Sequence, residues 1–420
     1  MNKINFVYYN TVSDFKILEN VKRYLNYFQK NNINLFVIHE NYHCKKNFKL
    51  CLINEKKLDI NIINQIHFDD KNNINEIINF LKKNKIKIVN FFNGNLSVYK
   101  IQNILHICEV LDKLNIKFYW NTMSFLKQRF LICDDIYFNN SKVISRYHAN
   151  LNNLVNNSKI ERYKSEYWNM KIGKYYWTDP EEMCPCGSQK KFKFCHGKKN
   201  NYVNFKSKLS EIKNIFYNKN ITRVNQSVLD KRKKYILFLA TKNSHWFNKY
   251  ANPKFQNPVD YIHDIEKSIP HEFDLLIKPH PKETYIFDKI SLSSRSFIYS
   301  GNLKEVIDYS ELIISTGSTS GLEALTLNKK IIYLGDKTYL GKIKKELSPV
   351  QIINDIEQLP DKILELINAK PSQIQINCYL ESLIQNSFEV TGYEQLLRGD
   401  SFAYDNYRAV LKEIENDFEI

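Results

Sequence analysis

Apolar positions along this chain fall into two blocks of regular alternation, separated by a stretch without such rhythm. In the first block, "INFVYY" (4–9) and "INLFVIHE" (33–40) have the length and branched side chains of strands. Between them, "FKILENVKRYLNYFQK" (15–30) repeats apolar residues at helical spacing. The same pattern predicts a helix at 74–84, a strand at 86–92, a helix at 98–115 and a strand at 116–120. The second block opens with "YILFLA" (235–240) and predicts strands at 273–278, 296–300, 311–315 and 330–334. Helices are expected at 258–268 and 302–310, and the patterns at about 376–396 and 402–418 are also helical. Strands alternating with helices predict βαβ units and mostly parallel sheets.

The expected fold class is therefore α/β, with two doubly wound, Rossmann-like domains facing across a cleft. Residues 1–150 are expected to form the first domain and 233–375 the second, with helices of 376–420 packing back across both. Residues 151–232, rich in Asn, Lys and Tyr, are expected to be an insertion or linker with a short helix at 208–217. The 420 residues are 43% hydrophobic, ample for two packed cores, which excludes general disorder. No apolar run approaches the ~18 residues of a membrane helix, and "MNKINFVYYN" lacks an apolar signal core. A cytoplasmic protein is expected.

Charge adds a second theme. Of a formal net +16, residues 181–234 contribute +10, from 14 Lys+Arg against 4 Asp+Glu. Such a belt suits an anionic partner, whether acidic glycan, inner-leaflet lipid or nucleic acid. A solvated, lysine-rich connector is the alternative reading.

Two loops carry candidate chemistry. "LLIKPHPKE" (275–283) ends an apolar run in a histidine bracketed by prolines. Each proline fixes its φ near about −65° and pushes its predecessor toward an extended conformation. The stiff peptide holds the His280 imidazole outward with Lys278 beside it, and at a strand's carboxyl end such a pair can grip a phosphate, including a departing one. A surface turn that happens to contain Pro-His-Pro is the alternative. The second loop, "IISTGSTSGLEAL" (313–325), runs strand, Gly/Ser/Thr turn, helix. Gly317 and Gly321 allow close backbone approach, and the hydroxyls of Ser315, Thr316, Ser318, Thr319 and Ser320 surround a helix start expected near Ser320. Glu323 either accepts hydrogen bonds from a nucleotide's sugar or merely complements the helix dipole. The loop is neither a P-loop nor a dinucleotide fingerprint.

The run from Lys278-Pro-His-Pro281 through "NLKEVIDYS" (302–310) to "STGSTSGLEAL" (315–325) resembles the nucleotide-binding domain of bacterial capsule-polysaccharide glycosyltransferases of the GT-B fold. Similar motifs occur in sialyl- and polysialyltransferases, Kdo transferases and CDP-glycerol-type polymerases. The resemblance spans roughly residues 234–340. It implies that His280, Ser315, Thr316, Gly317, Ser318, Thr319 and Ser320 hold the phosphates of a nucleotide-sugar donor, a CMP- or CDP-linked one among the candidates, with chemistry that needs no metal. An inverting member also requires a general base near the acceptor hydroxyl. Strand ends offer His39 with Glu40, and Asp134 with Asp135; the aspartate pair reads either as a catalytic site or as a solvated turn.

Eight cysteines are too few and too irregular for a disulfide scaffold. Cys44, Cys51, Cys108, Cys133 and Cys378 lie in or beside apolar segments and read as buried thiols. "CPCGSQKKFKFCHG" (184–197) differs: Cys184, Cys186, Cys195 and His196 can supply four tetrahedral zinc ligands across a short knuckle. The segment resembles the SEC-C motif, and a closed four-ligand site is structural. Its role here is expected to be a small zinc-knuckle insertion displaying Lys190, Lys191 and Lys193. The expected function is transfer of a sugar from a nucleotide-activated donor to a surface or capsular polysaccharide or a glycolipid. A polyol-phosphate transferase of the same architecture and a non-catalytic zinc adaptor are the alternatives. Peripheral contact with the inner membrane or a capsule-assembly protein through the basic insertion is expected; nucleic acid is not the expected partner.

Overall fold

Strands that are apolar on both faces must be covered on both sides, and that requirement builds this molecule. The computed structural model describes residues 4–10, 33–40, 61–66, 71–92, 98–123, 129–133, 141–152, 157–168, 223–224, 229–230, 232–241, 253–280, 287, 290–316, 319–335, 340 and 343–389. The helices expected at 15–30, 208–217 and 402–418 lie outside those residues.

The first sheet begins with β1 (Ile4–Asn10), β2 (Ile33–Glu40) and β3 (Asn61–Ile66). It continues through α1 (Lys71–Lys83), β4 (Ile88–Phe92), α2 (Val98–Lys113), β5 (Lys117–Met123) and β6 (Arg129–Cys133). β1 to β5 are parallel, whereas β6 runs antiparallel to β5. The chain steps outward from β1 to β3, then returns to the other side of β1 for β4 and β5.

Helices α3 (Ser141–Asn152) and α4 (Asn157–Tyr167) follow. The second sheet comprises β7 (Arg223–Val224), β8 (Lys234–Leu239), β9 (Phe273–Lys278), β10 (Ser296–Tyr299), β11 (Ser310–Ser315), β12 (Lys330–Leu334) and β13 (Gln351–Ile353). Between its strands lie α5 (Pro258–Ser268), α6 (Leu303–Tyr309) and the short α7 (Thr319–Glu323). Asn257 caps α5 and Asn302 caps α6, each accepting a main-chain N–H from two residues on. The chain ends its described part with α8 (Leu359–Asn368), α9 (Gln373–Asn386) and β14 (Ser387–Glu389).

The second sheet has the order β13-β12-β11-β8-β9-β10-β7, and all its strands are parallel. Alternate residues face opposite layers. Ile236, Phe238, Leu275, Ile277, Leu312 and Ile314 pack against Tyr261, Ile262 and Ile265 of α5 and Leu359 and Ile363 of α8. Leu237, Leu239, Leu276, Ile313 and Tyr333 face the other layer, where Val306 and Ile307 of α6 and Leu322 of α7 cover them. Both sheets are thus doubly wound, as the alternation predicts.

The two halves are laced together. α3 lies along α9, where Asn150 Nδ2 donates to Ser382 Oγ (2.8 Å). β14 then pairs antiparallel with β6 in the first sheet. The helix predicted through residue 396 therefore stops at Asn386, and the chain turns to strand. α4 sits inside the span expected to be an irregular insertion. Its helical face is hard to read in the sequence because five of its eleven residues are ionisable Lys, Arg or Glu, whereas Ile160, Lys164 and Tyr167 are buried.

Candidate functional site

In doubly wound sheets, ligands bind beyond the carboxyl ends of the strands where the strand order reverses. Here that point falls between β8 and β11, since β9 and β10 extend to one side of β8 while β11, β12 and β13 extend to the other. Three chain segments leave this edge side by side. The Ala240 N–H donates to the Lys278 carbonyl (3.1 Å), which carries the β8–β9 ladder to the strand tips. Next to it, Thr241 Oγ1 and Thr316 Oγ1 share a hydrogen bond of 2.7 Å. His280 thus emerges from β9 and the Thr316–Ser320 turn from β11, one strand apart, roughly 10 Å at two sheet spacings.

His280 is half-buried and follows a buried Pro279. The Lys278 ammonium points elsewhere than straight into the edge. Its Nζ donates to the Gly301 carbonyl (2.7 Å) and lies over the Tyr299 ring at 5.4 Å from the centroid. Burial pushes this ammonium below the usual lysine range. Gly301 is required where it stands, because a Cβ there would run into the Tyr299 phenol. Lys278 therefore fastens the β10–α6 connection to the tip of β9, and a lysine has further donors to offer a ligand.

The sequence leads one to expect Ser315 and Thr316 among the hydroxyls facing a phosphate. Both are 0% exposed. Ser315 is still inside the strand, and Thr316 is locked to Thr241, so these two form the floor beneath the turn. Above them, Gly321 of α7 lies so close to β11 and β12 that a Cβ would meet Tyr333 Oη at 2.7 Å and Ser315 Oγ at 2.9 Å. Ser320, at the start of α7, is half-buried, and Thr319 opens that helix. Gly317 and Ser318 lie outside the described residues.

Under the same edge, the Tyr261 phenol is wholly buried against Phe238 and Phe255. Burial pushes it far above the usual tyrosine range, against the pull of a nearby Thr316 hydroxyl. It lies near the Thr316 hydroxyl yet makes no hydrogen bond of good geometry. Among the described residues, the hydroxyls of Tyr261, Tyr299 and Ser315 are buried without a protein partner, and all three lie at this edge. Such groups call for an ordered water or a ligand oxygen.

Glu323 is half-buried, and its Oε1 accepts a hydrogen bond of 2.7 Å from Tyr167 of α4. Its carbonyl accepts from Thr326 Oγ1 (2.6 Å), which in turn accepts from Trp168 Nε1 (3.0 Å). Sequence reasoning missed Tyr167, Tyr261 and Thr241. Only Thr241 carried a signal, as the first hydroxyl after the apolar run of β8.

The remaining candidates separate by topology. Asp134 and Asp135 lie outside the described residues, and the strand leading to them, β6, runs antiparallel, toward the amino edge of its parallel neighbours. β2 delivers His39 and Glu40 to the carboxyl edge instead. Cys184, Cys186, Cys195 and His196 also lie outside the described residues. Among the described residues, no cluster of His, Cys, Asp and Glu side chains suits a metal, and no helix is long and apolar enough to cross a membrane.

The SEC-C motif matches residues 182–198 of the chain. No curated protein matches the sequence. Among solved structures, the chain is similar to the beta Kdo 2,7 transferase KpsC of Thermosulfurimonas dismutans, at 12% identity and a TM-score of 0.45, covering 95% of this chain and 98% of that one. It is also similar to a glycosyltransferase from Rickettsia africae ESF-5, at 14% identity and a TM-score of 0.31, covering 98% and 100%. A Methanocaldococcus jannaschii UDP-GlcNAc 2-epimerase in complex with UDP-GlcNAc and UDP aligns at 15% identity and a TM-score of 0.31, covering 91% and 99%.

Proposed function

We propose that this chain is a glycosyltransferase of GT-B architecture, taking a sugar from a nucleotide-activated donor and passing it to a surface or capsular polysaccharide or a glycolipid. One observation carries the reading: the His280 peptide and the Thr316–Ser320 turn leave the same edge of one parallel sheet, on the two sides of Thr241. In this reading His280 hydrogen-bonds the donor phosphate and stabilises the charge that develops as the glycosidic bond breaks. Ser318, Thr319 and Ser320 add hydroxyl donors, and Gly317 lets the main chain approach. Ser315 and Thr316 act from below, fixing where the turn begins. A donor held by hydrogen bonds and an imidazole needs no metal for its departure.

The acceptor hydroxyl needs a base from the other half of the molecule. Strand direction favours His39 or Glu40 over Asp134 and Asp135 for that role. The SEC-C segment fits a structural zinc held by Cys184, Cys186, Cys195 and His196, since three thiolates and an imidazole are a donor set zinc accepts. That knuckle is proposed to display Lys190, Lys191 and Lys193 to an anionic acceptor or membrane partner.

A thermal-shift panel of CMP-, CDP-, UDP- and GDP-sugars tests the donor reading. A bound donor present far above its dissociation constant raises stability by a few kcal/mol. One nucleotide class is expected to raise the melting temperature, and no response to any of the four would overturn the assignment.

A further inference from the structure

Two consecutive aromatic residues at the end of α4 converge on a single glutamate. Tyr167 donates to the Glu323 carboxylate (2.7 Å), while Trp168 holds Thr326 (3.0 Å), whose hydroxyl holds the Glu323 carbonyl (2.6 Å). The side chain and main chain of Glu323 are thus both fixed from one foreign helix. That helix is itself firmly seated. Tyr167 is 0% exposed, edge-on to Trp168 at 5.3 Å and tilted against Tyr163 at 6.0 Å. One turn earlier, the buried Lys164 donates to Asn377 of α9 (2.8 Å) and to Glu161 (3.0 Å). Gln373 of α9 completes the clamp by donating to Asn328 Oδ1 (3.0 Å), at the residue that ends the turn after α7.

Anchoring of this kind fixes the direction of a carboxylate, and Glu323 lies one turn beyond the proposed phosphate loop. A carboxylate has about four lone-pair positions, so a bond from Tyr167 leaves it able to accept from a ligand hydroxyl as well. We propose that Tyr167 is a positioning residue for donor binding, holding Glu323 so that it accepts from the ribose hydroxyls of the bound nucleotide. The proposal rests on reading the sheet edge as a nucleotide site. It makes α4, an element outside the second sheet, part of donor recognition, and it requires pre-organisation of the carboxylate before the ligand arrives.

The test is calorimetric titration of the full chain with CMP, CDP, UDP and GDP and with their 2′,3′-dideoxy forms. Wild type, Tyr167→Phe and Glu323→Gln are compared, each checked for folding by circular dichroism. The nucleotide that wild type binds best should lose about tenfold in affinity when its ribose hydroxyls are removed, the scale of one charge-assisted bond. Tyr167→Phe should bind that ribonucleotide about tenfold more weakly while binding the dideoxy form like wild type. Glu323→Gln, which keeps an acceptor for Tyr167, should likewise lose preference for the ribonucleotide. A Tyr167→Phe protein that weakens both forms equally, or neither, overturns the positioning role. So does a wild type that binds both forms alike, an outcome that leaves the nucleotide reading intact. Binding of none of the nucleotides overturns the nucleotide reading and this proposal together.

Discussion

Thr241 and Thr316 share a buried hydrogen bond of 2.7 Å across the seam where the second sheet reverses its strand order. The bond joins the tip of β8 to the start of the turn that follows β11. A single Thr→Val replacement takes this bond away from the buried partner hydroxyl, at a cost of about 1–3 kcal/mol. The double replacement removes both polar groups and should cost less than the sum of the two singles. Thermal melts of Thr241→Val, Thr316→Val and the pair measure this directly, and additive losses would show that the bond contributes little.

Gly321 presses α7 onto β11 and β12. An added methyl would meet Tyr333 Oη at 2.7 Å and Ser315 Oγ at 2.9 Å. Gly321→Ala should therefore destabilise by about 1–3 kcal/mol, as overpacking does. Adding Tyr333→Phe, which removes one of the two opposing oxygens, should recover part of the loss in the same melting assay.

Lys164, with 4% of its side chain exposed, joins Glu161 of its own helix to Asn377 of α9. Burial works to raise the Glu161 carboxyl, but hydrogen bonds from Lys164, Asn377 and Gln373 outweigh it and hold the group below the usual carboxylate range. A carboxyl lowered by folding contributes stability that is present above its unfolded value of ~4.3 and lost as pH falls through the folded value. The melting temperature of wild type should thus fall more steeply than that of Glu161→Gln below about pH 4.5. Parallel curves would dismiss the contribution.

Strand direction separates the base candidates. If β2 supplies the base, Glu40→Gln or His39→Ala should lower kcat by about a hundredfold or more. Asp134→Asn and Asp135→Asn should stay within a few-fold of wild type, since β6 runs toward the opposite edge. Turnover of the sugar nucleotide picked out by the thermal panel measures both arms, and loss confined to the aspartates would reverse the choice.

The proposed zinc knuckle predicts about one zinc per chain by elemental analysis, as a closed four-ligand site holds. Cys186→Ser should abolish that stoichiometry while leaving nucleotide binding in place.

Much of this was legible in the sequence. The strands from 234 to 334 were, because parallel strands buried on both faces read as unbroken apolar runs, and "PVDYIHDIEKS" matched α5 residue for residue. His280 and the Ser/Thr turn were also visible, because prolines, glycines and hydroxyls at strand ends are strong punctuation. The floor was not. Thr316 looks like a solvent-facing hydroxyl until its partner Thr241, 75 positions away, is known. The bond from Tyr167 to Glu323 spans 156 positions and leaves no local pattern. β6 read as one more strand, and its reversed direction, toward the amino edge of its parallel neighbours, depends on pairing and not on composition. β14, three residues long, is strand only because β6 offers an open edge.

His280 and the turn after β11 are proposed to grip one donor phosphate, and sugar-nucleotide turnover by wild type and His280→Ala side by side tests that grip. Loss of about a hundredfold or more, with melting temperature and zinc content unchanged, is the predicted result. Equal turnover by the two proteins would contradict it.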